Sequence, residues 1–77
     1  MLEKAMRKMI LTAQRNEITE HLVYEKLAQA VKDPHNAEVL RRISRDELRH
    51  YGIWKKHTGG DVKPNKFKIW VYYLIAK

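Results

Sequence analysis

Asp46-Glu47-Leu48-Arg49-His50-Tyr51 decides how this 77-residue chain reads. Glu47 and His50 stand three residues apart, so on a helix they share one face. They also interrupt a pattern. Leu40, Ile43, Glu47, His50 and Trp54 alternate spacings of three and four, the period of a core-facing seam. An earlier run repeats it with Met6, Ile10, Ala13, Glu17, Glu20, Tyr24, Leu27 and Val31. Three carboxylates and an imidazole thus fall where buried side chains belong. A buried, unpaired carboxylate is costly or takes up a proton. A bound cation removes that penalty, which makes Glu17, Glu20, Glu47 and His50 candidate metal ligands.

Working outward, a first helix is expected from near Leu2 to about Lys32, a stretch without Gly or Pro. Asp33-Pro34 ends it, because the residue before proline leaves the helical region. The link Asp33–His35 is short, and a short link between long helices makes an antiparallel hairpin. Asn36 is the expected N-cap of a second helix running to about Thr58, where Gly59-Gly60 supplies the stop. Pro64 is expected in the first turn of a third segment, Phe67 to Lys77. That segment reads as helix, although its aromatic and β-branched content also suits a strand. The fold class is all-α, in one domain spanning residues 1–77.

Size and charge set further bounds. A chain this short is near the lower limit for a self-sufficient core and needs a staple, a metal or a partner. The absence of cysteine excludes disulfides, thiolate zinc sites and iron–sulfur clusters. Met1 to Ile10 alternates charged and apolar residues, unlike a signal peptide, and Ile69 to Ala76 is too short to span a bilayer. A cytoplasmic location is expected. The net charge of +7 raises nucleic acid or anionic membrane as partners. Helix-turn-helix recognition does not fit: the helices are too long, and phosphate would be repelled by the acidic seam. No nucleic-acid partner is expected. Arg42, Arg45 and Arg49 form a stripe read as a solvated outer face paired to Asp and Glu.

Asn16-Glu17-Ile18-Thr19-Glu20-His21-Leu22-Val23-Tyr24-Glu25-Lys26-Leu27-Ala28, followed by Ile43-Ser44-Arg45-Asp46-Glu47-Leu48-Arg49-His50-Tyr51, resembles the first half of a rubrerythrin-type, ferritin-like di-iron domain. The likeness is strongest to such domains found alone or fused to vacuolar-iron-transporter-like membrane domains. Glu-x-x-His by itself is a weak signal. An upstream Glu with Tyr seven and Ala eleven residues after it makes the pattern more specific. The resemblance implies Glu17 as first-helix ligand, Glu47 as bridging carboxylate, His50 as terminal imidazole, and Tyr24 as hydrogen-bond partner of a ligand carboxylate. Glu20 is an additional or alternative ligand, or else a salt-bridge partner between helices.

Such a domain has four helices, and its second half repeats the Glu and the Glu-x-x-His. Phe67–Lys77 carries no Glu. Two chains therefore pair as a homodimer to complete a four-helix bundle, or a second half, or a membrane domain, follows Lys77 in a longer parent protein. The apolar third segment points the same way. The expected function is a non-haem di-iron carboxylate protein that binds Fe(II) and oxidises it with oxygen or peroxide, as a ferroxidase or peroxidase. Zinc or manganese fits the same ligands. The rival readings are a metal-free helical dimerisation module, with the Glu/His seam as a register-setting polar network, and a basic nucleic-acid binder. His21, off the main seam, is a weaker ligand candidate. His35 and His57 are expected at solvent-facing or capping positions, Met6 and Met9 as packing. Tyr24, Tyr51 and Trp54 read chiefly as core.

Overall fold

Two long helices lie side by side because only three residues separate them. The computed structural model describes residues 3–76, Ala76 by its backbone alone. Helix α1 spans Lys4–Ala30, α2 spans Pro34–Thr58 and α3 spans Lys66–Ala76. No strand occurs among the described residues, so the third segment is helical and the described chain is all-α, a helical hairpin with a third helix. Leu2 and Lys77 lie outside the described residues.

Each boundary has a local cause. Val31 is extended, at φ −81° and ψ 129°, and closes α1 with its N–H on the Leu27 carbonyl at 3.0 Å. Asp33 is extended ahead of Pro34, as the ring requires. The N-cap of α2 is Asp33, not Asn36. The Asp33 carboxylate accepts the Asn36 N–H at 3.0 Å, and Pro34 takes the first helical position, where its missing donor costs nothing. His35 accordingly sits in the first turn of α2 rather than in the link, exposed. At the other end Gly59 adopts the left-handed conformation, φ 81°, that favours glycine, and donates to Lys55 O at 2.7 Å. Lys55, Lys56 and His57 fill the last turn, where positive charge suits the helix dipole. Pro64 lies outside α3 instead of in its first turn. Asn65 caps that helix, its side chain accepting the Lys68 N–H at 3.0 Å.

The line of closest approach between α1 and α2 is not the apolar seam. On α2 the buried residues are Ala37, Ser44, Tyr51 and Thr58, each seven apart; on α1 they are Gln14, Thr19, Val23 and Ala28. Small and polar side chains let the backbones approach, and their polar atoms are paired. Gln14, fully buried, donates from Nε2 to Gly60 O at 2.7 Å and accepts from the Thr58 hydroxyl at 2.6 Å. His21 Nδ1 meets Ser44 Oγ at 2.9 Å and Ser44 O at 2.8 Å, and the Ser44 hydroxyl also lies 2.9 Å from the His21 carbonyl. Thr19 Oγ1 accepts the Asn65 N–H at 2.9 Å, fixing the entry to α3. Tyr51 donates to Asp61 at 2.8 Å and accepts the Val62 N–H at 3.1 Å, fixing the loop after α2.

The seam lies beside this line, half-buried at best. Leu40, Ile43, Glu47, His50 and Trp54 are all partly open, and Met6 is exposed, as is Met9, so neither methionine is core. The described residues measure 46 × 22 × 14 Å between Cα atoms. That is the thickness of a single layer of helices, and one layer cannot cover both of its faces. Helix α3 packs on α1 and makes no contact with α2.

Candidate metal centre

The hairpin brings the middle of α1 against the middle of α2. Glu17 and Glu20 project one turn apart from the first helix, Glu47 and His50 one turn apart from the second. His50 Nδ1 lies 3.5 Å from Glu17 Oε2 and 3.5 Å from Glu47 Oε1. One ligand atom from each of these three residues falls within 4.8 Å of the others. Two ligands of one cation at about 2.1 Å are at most about 4.2 Å apart, and the two 3.5 Å separations from His50 fall inside that limit. The Glu17 and Glu47 side chains are 22% and 15% exposed and His50 is 44% exposed.

Glu17 Oε2 is buried without a hydrogen-bond partner. The His50 nitrogen stands within ion-pair range of it, but the pair does not form a hydrogen bond. An orphaned carboxylate oxygen of this kind costs about 1–3 kcal/mol or more. A cation is the partner such an oxygen lacks. The donor set, hard carboxylate oxygens with one imidazole nitrogen, suits iron, manganese and zinc. The residues present therefore fit a metal.

Glu20 adds a second strain of the same kind. Its carboxyl shares a hydrogen bond with Glu47, and that contact, then burial, then the charge of Glu47, hold its pKa above the ordinary carboxylate value. Lys68, reaching over from α3, pulls in the other direction. Glu20, Tyr24 and Lys68 line one small hollow of about 120 Å³, together with Tyr72. Among the described residues no hydrogen bond joins the Tyr24 hydroxyl to a carboxylate.

The remaining expected residues are placed elsewhere. His21 faces Ser44 on the buried line and reaches Glu25 at 3.7 Å; it stands outside the three-residue cluster. His57 tilts against Trp54, ring centroids 6.5 Å apart, near the end of α2. Tyr51 is core. Arg41, Arg42 and Arg45 surround Glu38 at 3.3–3.9 Å, and Arg49 meets Asp46 at 3.3 Å, so the arginine stripe is a solvated, paired face. Sequence reasoning missed Lys68, whose place opposite Glu20 depends on how α3 docks. It also missed Gln14, Ser44 and Thr58, although the seven-residue spacing of small and polar residues on α2 is visible in the sequence.

A helical hairpin that sets carboxylates and a Glu-x-x-His face to face defines the class of helical carboxylate proteins. The family model for rubrerythrin matches residues 4–72. The chain belongs to the rubrerythrin family, whose members generally bind iron. Neither a curated protein nor a solved structure matches it significantly.

Proposed function

We propose that this chain is one half of a di-iron carboxylate centre, completed by a second copy across the open seam, and that it oxidises Fe(II) with oxygen or peroxide. Glu17, Glu47 and His50 are its ligands, and Glu20 is accessory. The observation that carries the reading is the orphaned Glu17 oxygen within a cluster whose other donors converge on it.

Bound iron would supply one-electron redox chemistry and affinity for oxygen species. The protein's own part is electrostatic and positional. Glu17 and Glu47 would hold the metal through hard carboxylate oxygens, donors that favour a more highly charged cation, and the family resemblance gives Glu47 the role of the shared carboxylate. His50 would add an imidazole nitrogen to the donor set. Contact with Glu47, then burial, raises the Glu20 pKa above the ordinary carboxylate value, and a bound cation would relieve the crowding of these two carboxyls. Lys68 beside Glu20 offsets part of the negative charge that accumulates when the site is empty. The half-exposed seam residues Leu40, Ile43 and Trp54 supply apolar surface for a partner helix layer that keeps water out.

The register-setting role of a metal-free module has other occupants: Gln14 with Thr58 and His21 with Ser44 already supply paired polar contacts between the helices. The test is metal binding by the chain and by Glu47→Ala, with circular dichroism as the folding control. A folded Glu47→Ala chain should lose Fe(II) binding. Unchanged stoichiometry in that variant sinks the assignment.

A further inference from the structure

Helix α3 is apolar on the side that faces away from the protein. Ile69, 6% exposed, marks its contact with α1. At 3.6 residues per turn, Phe67, Val71 and Leu74 lie roughly 140–160° around the helix from Ile69. Trp70 and Ile75 flank them. Phe67 and Ile75 are 73% and 77% exposed, and Trp70 is 58% exposed. The surface continues into an open groove of about 560 Å³ where Trp70 and Leu74 meet Leu22 of α1, with one acid, Glu25, on its wall against Lys26 and Lys66. This stripe is not part of the carboxylate seam.

Its charge identifies what covers it. Residues 62–77 contain lysines and no acidic residue. Lys63 and Lys66 are exposed beside the stripe, and Lys68 stands at its other edge, 5.9 Å over the Tyr72 ring. Asp61, the nearest acid in sequence, is engaged by Lys55 at 2.8 Å and by Tyr51. Packing the stripe of one copy on that of another would bring like charges together at the rim. A surface that is both apolar and anionic meets every feature of this helix: lysines at the edge, Trp, Tyr and Phe on the body. No helix among the described residues is long and apolar enough to cross a membrane.

From this we infer that α3 is a docking helix for an anionic lipid surface, with Phe67, Trp70, Leu74 and Ile75 entering the acyl boundary and Lys63 and Lys66 meeting headgroups. This inference is independent of the metal. The experiment is co-sedimentation of the full chain with vesicles of phosphatidylcholine alone or with about one-third phosphatidylserine. Binding is expected only to the phosphatidylserine vesicles, and it weakens as salt is added. Phe67→Ser with Leu74→Ser should weaken binding about tenfold or more, and Lys63→Glu with Lys66→Glu should do the same. All four side chains are exposed, and circular dichroism checks the fold; if the serine variant unfolds, the glutamate variant carries the test. No binding to anionic vesicles overturns the inference, as does equal binding to neutral ones. Full retention by a folded variant overturns it too. So does a stripe that binds no vesicle but whose serine variant halves the mass in solution, since the stripe is then an interface between copies.

Discussion

Two strips run along the same helix pair and obey opposite rules. On the contact line, Gln14, His21, Ser44, Thr58 and Tyr51 are polar side chains whose partners are all present. On the seam one helical step away, Glu17 Oε2 lacks a hydrogen bond and Glu20 and Glu47 press two carboxyls together. The first strip holds the hairpin and sets its register. The second opposes stability in the isolated chain, as the proposed metal site requires and a structural network would not. Polar residues in a helix interface are thus informative only once their partners are counted.

Mutations on the two strips should therefore move stability in opposite directions. The largest effect is expected at Gln14. Gln14→Ala removes the short bonds to Gly60 O and from the Thr58 hydroxyl, leaves these two only the long Thr58 contacts to Gly60 O and Lys55 O at 3.4 and 3.5 Å, and opens a cavity, costing about 2–4 kcal/mol in thermal or urea unfolding. A cost near zero would mean that the buried line does not hold the hairpin. Ser44→Ala, which removes the hydroxyl shared between His21 Nδ1 and the His21 carbonyl, should cost about 1 kcal/mol. Glu17→Gln on the seam should raise the metal-free melting temperature, by a stability gain of up to about 1 kcal/mol, while weakening metal binding. A destabilised Glu17→Gln chain with intact metal affinity would erase the distinction between the strips.

The smallest effect concerns the loop hook. Asp61 has its carboxyl pKa held below the ordinary value, first by the hydrogen bond from Lys55 and then by that from Tyr51. A carboxyl lowered on folding contributes stability above its unfolded pKa, and the contribution disappears as pH falls through the folded value. Tyr51→Phe removes one of the two hydrogen bonds. Its stability profile should be flatter on the acid side than that of the parent, with no change in metal affinity. An unchanged acid limb would show that Lys55 alone holds Asp61.

What was legible in the sequence follows from local physics. The helix stops at Pro34 and Gly59 are set by backbone chemistry, and they came out within a residue or two. The grouping of Glu17, Glu47 and His50 was legible because Glu47 and His50 share a face by period alone, and the short link then aligns them with Glu17. The seam's burial was not legible. Spacing reports which residues share a face, but it does not say whether that face meets the neighbouring helix of the same chain. Here Ser44 and Thr58 take that contact and leave Leu40, Ile43 and Trp54 half-open. The N-cap shifted from Asn36 to Asp33 because proline's preference for the first helical position outweighs the capping propensity of a residue deeper in the turn. Lys68 was beyond reach, since its position depends on the docking of α3 rather than on any repeat.

The most direct test is an anaerobic Fe(II) titration of the purified chain with its mass in solution measured alongside. A metal site shared across two seams predicts saturation near two irons per dimer and a near-ultraviolet absorbance that appears on admitting oxygen. A folded dimer that binds no Fe(II) would contradict it.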